Sequence, residues 1–385
     1  MIKKSIAFIC ALTLLLTATS AVAFADSNST EYTEISLEQI SEIGAEDVEN
    51  ANVLSLSPND VDKIDGEIKK DQLTTFLTNN GLIVYRDNDG IAASALDSYF
   101  GLGVQEVSEP KETLESNTAI DQGKDIATIY YLDTQNVIST LTINVDENST
   151  NDFGLYDTLI EEAVDEIIEN NNLQRQATTS SPEEITGEYI GKKTFIYSRA
   201  PKGKLRAQYE FYVAENVHGS NYFIVFADVN GMPGTILYED DSSYEKGYEG
   251  EKMSVEISPI TSSVTLDDYG PERTITSGSK SYAVSIGITG YDLSISRTTT
   301  YTRNIQDTEI STKCTTTDAR WNLRLRGPAQ KENCRFEPAA TFECDDSKTN
   351  VKLNCYASYT LDSVLSAQEK ISLDRDVRCT LTDVE

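Results

Sequence analysis

From Lys193 to Phe226 the chain reads KTFIYSRAPKGKLRAQYEFYVAENVHGSNYFIVF. Three short runs rich in β-branched and aromatic residues lie within it: Lys193 to Tyr197, Gln208 to Val213 and Tyr222 to Phe226. Runs of this length and composition suit strands, whose pleated surface accommodates branched and flat side chains. Asn216-Val217-His218-Gly219-Ser220 separates the second run from the third and supplies turn residues. The texture continues at Thr235 to Tyr238 and Met253 to Ile257, with Asp228-Val229-Asn230-Gly231 as a turn cluster. No 3.6-residue period interrupts it before a weak one near Leu361 to Ile371. Residues 187–385 are therefore expected to form a mainly antiparallel, β-sandwich-like domain with a cysteine-containing C-terminal part.

Upstream the pattern changes. Residues 174–186, with Thr178, Thr179, Ser180, Ser181 and Pro182, have the composition of a linker. Before it, strands and helices alternate over residues 53–173, which predicts a small α/β domain. Val53 to Leu56 reads as a strand. Val61, Ile64, Ile68, Leu73, Phe76 and Leu77 follow a helical pattern that Gly81 is expected to stop. Leu82 to Tyr85 is a buried-strand signature, and Ile91 to Phe100 a helix closed by Gly101. Ile126 to Leu132 and Val137 to Val145 form a hairpin through Asp133 to Asn136. Leu155, Leu159, Ile160, Ala163, Val164, Ile167 and Ile168 make one apolar helical stripe, opposite Glu161, Glu162, Asp165, Glu166 and Glu169. The asparagines Asn170 to Asn172 are expected to end that helix. The whole is an α+β two-domain chain.

The N-terminus gives the destination. Lys3 and Lys4 precede an apolar run from Ser5 to Thr17, and Ala23-Phe24-Ala25 precedes Asp26. Residues 1–25 thus read as a bacterial-type signal peptide. The run is shorter than the roughly 20 residues of a spanning helix. Residues 26–52 form a polar, acidic lead-in. The expectation is a secreted, extracellular protein.

The net charge of −31 repels nucleic acid and anionic headgroups within about a Debye length, so no nucleic-acid partner is expected. Cys10 leaves with the leader. Cys314, Cys334, Cys344, Cys355 and Cys379 remain, and export permits disulfides: two bridges and one thiol are expected. The cysteines show no C-x-x-C pair or zinc-like spacing. The single histidine, His218, sits in a turn without a nucleophile motif, so no catalytic residue is assigned. No cofactor is expected. Calcium has two weak candidate places, Asp87-Asn88-Asp89-Gly90 and Asp146-Glu147-Asn148. Neither fits the calcium-loop pattern, and both read as turns.

Ser277 to Ile305 is the most distinctive segment. Tyr282, Val284, Ile286 and Ile288 alternate with small polar residues, as do Tyr291, Leu293 and Ile295. A two-residue turn at Thr289-Gly290 would pair Ile286 with Leu293 and Val284 with Ile295, placing every apolar residue on one face. Such a Ser/Thr-rich amphipathic hairpin resembles the stem of secreted β-pore-forming toxins of the aerolysin and leukocidin kind. That resemblance implies insertion into membranes. Against it, Tyr282 to Ile288 is shorter than the roughly 9–11 residues of a membrane strand. Arg297 also interrupts the return row.

The leading expectation is therefore a non-enzymatic binding or surface-interaction protein with an unidentified extracellular ligand. The alternative is a β-pore-forming or membrane-acting protein that uses residues 277–305. A carboxylate-based hydrolase is third, because 63 acidic residues guarantee chance pairs.

Overall fold

The computed structural model describes residues 32–37, 51–61, 63–64, 66–86, 91–106, 123–146, 153–177, 187–199, 202–217, 219–237, 247–261, 263–272, 284–287, 294–297, 308–361 and 369–382. The first part contains β1 (Tyr32–Ile35), β2 (Ala51–Leu56), helix α1 (Gly66–Thr78), β3 (Leu82–Arg86), helix α2 (Ile91–Phe100) and β4 (Val104–Glu106). The hairpin β5 (Lys124–Leu132) and β6 (Ile138–Val145) follows, then helix α3 (Phe153–Ala177). Next come β7 (Glu188–Arg199), β8 (Gly203–Val217), β9 (Ser220–Pro233), β10 (Tyr248–Pro259) and β11 (Thr265–Gly270). The chain continues with β12 (Val284–Gly287), β13 (Ser294–Arg297), β14 (Thr308–Cys314) and β15 (Ala319–Leu325). It finishes with β16 (Cys334–Phe336), β17 (Ala339–Cys344), β18 (Lys348–Leu361) and β19 (Glu369–Thr382).

Two large sheets organise these strands. The first runs β1-β2-β3-β5-β6-β7-β8-β9-β17-β11, with β16 also on β9. The second is antiparallel throughout, in the order β14-β15-β10-β18-β19-β4. On β8, Leu205, Ala207, Tyr209 and Phe211 are buried in the core between the sheets, while Arg206, Gln208 and Glu210 point to the opposite face. That alternation is what a strand with one dry face requires. Tyr359 of β18 bolts the layers together by donating its hydroxyl to the Lys204 carbonyl at 2.9 Å. Trp321 is fully buried there and donates to the Pro271 carbonyl at 3.1 Å.

At its other end the first sheet carries helices on both faces. Leu73, Phe76 and Leu77 of α1 and Leu96 and Phe100 of α2 pack with Leu54, Leu56, Ile83, Tyr85 and Tyr130. The stripe on α3 packs with Ile129, Leu141, Ile143 and Ile196 on the opposite face. Each such side chain contributes about 1.5–3 kcal/mol on burial. Three interior asparagines cost at most about 0.7 kcal/mol each. The docked stripe therefore carries α3 past Asn170–Asn172, where the sequence pattern stopped it, to Ala177. Asn171 is itself fastened, with Nδ2 donating to the Leu132 carbonyl at 3.3 Å.

Two ladders cross the boundary expected at 174–186. β6 pairs with β7 in parallel, from Thr140 opposite Lys193 to Val145 opposite Ser198. β4, from the first part of the chain, closes the second sheet against β19. The connection β6-α3-β7 is thus a crossover within one sheet, the usual way of joining parallel neighbours.

Other local expectations change too. The lead-in contributes β1, parallel to β2. Thr235 to Leu237 lie in a helical turn, Gly234–Leu237, instead of a strand. The window near Leu361 to Ile371 falls on the ends of β18 and β19, so its weak period arose from two strand ends. Gly81 is not the left-handed residue that ends α1; Asn80 is, at φ 64°. Gly81 N–H closes the cap on Phe76 O and Asn80 N–H on Leu77 O. Gly81 is required for another reason: a Cβ there would lie 2.5 Å from the Phe76 ring. Gly101, at φ 65°, does close α2 as expected.

Candidate functional site

Two features are candidates for function: the hairpin and a polar groove. Among the described residues, β12 and β13 pair with each other and with no other strand, forming a separate two-stranded sheet. The hairpin lies against β11 and β17, and Val284 and Ile286 are 2% and 1% exposed. The register differs from the expected one. Val284 faces Arg297 and Ile286 faces Ile295. Gly287 in turn faces Ser294, a register that a two-residue turn at Thr289-Gly290 does not give. Thr-Gly suits neither tight turn type: one wants positive φ at its first position, which a β-branched residue resists, and the other wants glycine there. A slip of two residues preserves side-chain parity, because alternation has period two. Tyr282, Ile288, Tyr291 and Leu293 lie outside the described residues.

The groove, about 500 Å³, opens on the α3 side of the first sheet, where α3 leaves β7, β8 and β9 uncovered. The register brings polar side chains into line: Lys192 opposite Glu210, Thr194 opposite Gln208, Gln208 opposite Asp228, and Arg206 and Arg335 each opposite Asn230. Arg206 Nε and Nη2 reach Glu166 Oε1 at 3.0 and 2.7 Å. Arg206 also donates to Gln208 Oε1 at 3.2 Å, and Gln208 donates to Glu210 Oε1 at 3.1 Å. Arg335 grips Asp228 with two parallel bonds of 2.8 and 2.7 Å. Such forks fix orientation as well as charge.

Asp133 anchors the end of the groove. Its Oδ2 accepts from Tyr189 Oη at 2.5 Å and Ser139 Oγ at 2.7 Å. Its Oδ1 accepts from the amides of Gln135 and Val137, shaping the turn before left-handed Asn136. Lys192 Nζ lies 5.5 Å from the centroid of the Tyr131 ring. Burial opposes the lysine's charge, but Tyr131, Asp133 and Glu210 outweigh it and raise its pKa. Burial raises the Tyr131 and Tyr189 hydroxyls, so both stay protonated donors at neutral pH. Asn230 Oδ1 is buried with no hydrogen-bond partner among the described residues.

No disulfide joins Cys314, Cys334, Cys344 or Cys355, which corrects the expectation of two bridges for these residues. The register gives the reason: they stand opposite Ala319, Gly231, Asn221 and Val255, and no two are cross-strand partners. Cys379 lies on β19 opposite Val351, and its side chain is outside the described residues. His218 and Asp87–Gly90 are also outside them. Asp146 is in an ion pair with Arg199 at 2.6 Å. Among the described residues no cluster of three or more His, Cys, Asp or Glu side chains is arranged to hold a metal. In the groove, Glu166, Asp228 and Asp133 are each tied to an arginine or a hydroxyl. No described helix is long and apolar enough to cross a membrane.

No family model matches the chain, and no curated protein matches it significantly. Among solved structures it is similar to Clostridium perfringens delta-toxin, at 12% identity over 50% of this chain and 89% of that one, with a TM-score of 0.30. A structure titled as a pore forming protein has 10% identity over 51% and 96%, with a TM-score of 0.30. The Clostridium perfringens NetB toxin in its membrane-inserted form has 6% identity over 49% and 92%, at 0.23. At scores this low the likenesses carry no argument about this chain's fold or function.

Proposed function

We propose that this is a secreted, membrane-acting protein that uses the segment between β11 and β14 as a releasable β-hairpin. The observation that carries this reading is the separateness of β12 and β13, which among the described residues pair with neither large sheet. Among the described residues, β12 and β13 can leave without breaking a ladder of the sandwich. Among the described side chains, Val284 and Ile286 hold the hairpin down by burial, about 1.5–3 kcal/mol each. Lipid contact restores an apolar environment to the same side chains.

Residues 271–307 provide enough chain for two arms of about 9–11 residues and a turn. The face opposite the apolar one is Ser, Thr, Ala and Gly from Ser277 to Thr289, which suits a wet interior. Arg297 sets the depth. On a lipid face it costs about 2–4 kcal/mol at the midplane and about 0–1 near the interface. It is therefore tolerated only where its arm meets an interface. The strongly negative chain favours zwitterionic over anionic bilayers.

Single cysteines placed along residues 281–297 and labelled with an environment-sensitive dye test this on phosphatidylcholine vesicles. Insertion as a strand gives signals that alternate between lipid and water at successive positions. A uniform signal along the segment contradicts it.

A further inference from the structure

We infer that the groove beside α3 is a binding site for a neutral oligosaccharide. This goes beyond the membrane reading and does not depend on it. The groove is large enough for a small molecule, whose sites usually span about 300–1,000 Å³. Its lining is not that of an apolar pocket. Amides from Gln135, Asn170, Asn171, Gln208 and Asn230 line it beside fixed guanidinium and carboxylate groups.

The charges decide the class of ligand. Lys192, Arg206 and Arg335 stand among Asp133, Glu166, Glu210 and Asp228, three cations against four anions, and both guanidinium groups are already held by a carboxylate. An anion would have to draw Arg206 or Arg335 from its carboxylate, and a cation would have to draw Glu166 or Asp228 from its guanidinium, leaving the other partner unpaired. A polyol does not. Each sugar hydroxyl is both donor and acceptor, so it can use the lone pairs and N–H groups that the ion pairs leave over. Forked arginines and carboxylates with fixed spacing match adjacent hydroxyls on a ring. Asn230 Oδ1 marks the place: it is buried in the groove and lacks a donor among the described residues. A buried acceptor without a partner is costly and calls for one.

The test uses the full chain and a printed array of soluble neutral oligosaccharides, followed by titration calorimetry with those that bind. Asn230→Leu removes the unsatisfied oxygen, and Asn170→Ala removes an exposed helix amide, so neither should lower the melting temperature. Both should weaken binding at least fivefold. The inference is overturned if no neutral oligosaccharide binds, if only charged glycans bind, or if both variants bind as tightly as the parent. None of these results bears on vesicle labelling, so the two readings fail separately.

Discussion

Lys193 and Asp97 form the most deeply buried ion pair among the described residues, and breaking it tests how the two parts of the chain are joined. Lys193 Nζ meets Asp97 Oδ2 at 2.6 Å, with the side chains 3% and 2% exposed. The same oxygen accepts from the Glu106 amide at 2.9 Å, and Oδ1 accepts from Tyr130 Oη at 3.1 Å. Burial, reinforced by Asp97, holds the Tyr130 hydroxyl well above its ordinary pKa, so it remains a donor. One cluster thus links α2, β4, β5 and β7. Lys193→Met keeps the length of the side chain and removes the charge. Asp97 is then a buried anion with two neutral donors, which should cost about 3–5 kcal/mol. Adding Asp97→Asn removes the stranded charge while its amide oxygen still accepts from Tyr130 or Glu106. The double variant should therefore be more stable than Lys193→Met alone, by about 1–3 kcal/mol. Urea unfolding of the parent, both singles and the double closes the cycle. A Lys193→Met variant within about 0.5 kcal/mol of the parent, or a double variant less stable than either single, would refute this reasoning.

Three further outcomes follow from the same geometry. Alkylation of unfolded, unreduced protein should label Cys314, Cys334, Cys344 and Cys355; protection of any two as a pair contradicts the thiol assignment. A protease site inserted within residues 178–186 should give two pieces that still elute together without denaturant, because the β6-β7 and β4-β19 ladders cross the cut; separate elution would show that these ladders do not hold. Asp60 is held down to about 2 by the Ser57 hydroxyl, then by Lys63 and the Ser57 amide. With the folded pKa below the ordinary 3.8, its stabilisation is complete above 3.8 and is lost as pH falls through about 2. Carboxyl titration by NMR reads this directly, and a midpoint at or above 3.8 contradicts it.

Where one face of an element is buried and the other wet, the sequence was readable. The α3 stripe and the alternation of β8 are both such cases, since burial writes a period of 3.6 or 2 into the residues. Elements without a period were not readable. β4 is three residues, Val-Gln-Glu, and nothing in it signals that it closes the second sheet. The crossing ladders stayed hidden because a Thr/Ser-rich segment looks like a linker whether it joins domains or spans a crossover. The groove was missed for a related reason. Arg206, Gln208 and Glu210 have the composition of any solvated strand face, and only the register brings Asp228, Asn230 and Arg335 beside them. The hairpin was read with the right parity but a slipped register, because pairing parity follows from alternation while register depends on the turn.

Pinning the hairpin tests the central claim most directly. A Cβ built on Gly270 would lie 3.5 Å from Val284 Cβ, within the span of about 3.5–4.5 Å that a disulfide bridges. Val284→Cys also removes the Cγ1 that now stands 2.7 Å from that position. Gly270→Cys with Val284→Cys should therefore tie β12 to β11, with the new bridge confirmed by peptide mass mapping. The measurement is dye release from phosphatidylcholine vesicles by the double-cysteine protein, oxidised and then reduced. The account predicts no release while the bridge is closed and release at the parent's rate once dithiothreitol opens it. Equal release in both states, or none from the parent, would contradict it.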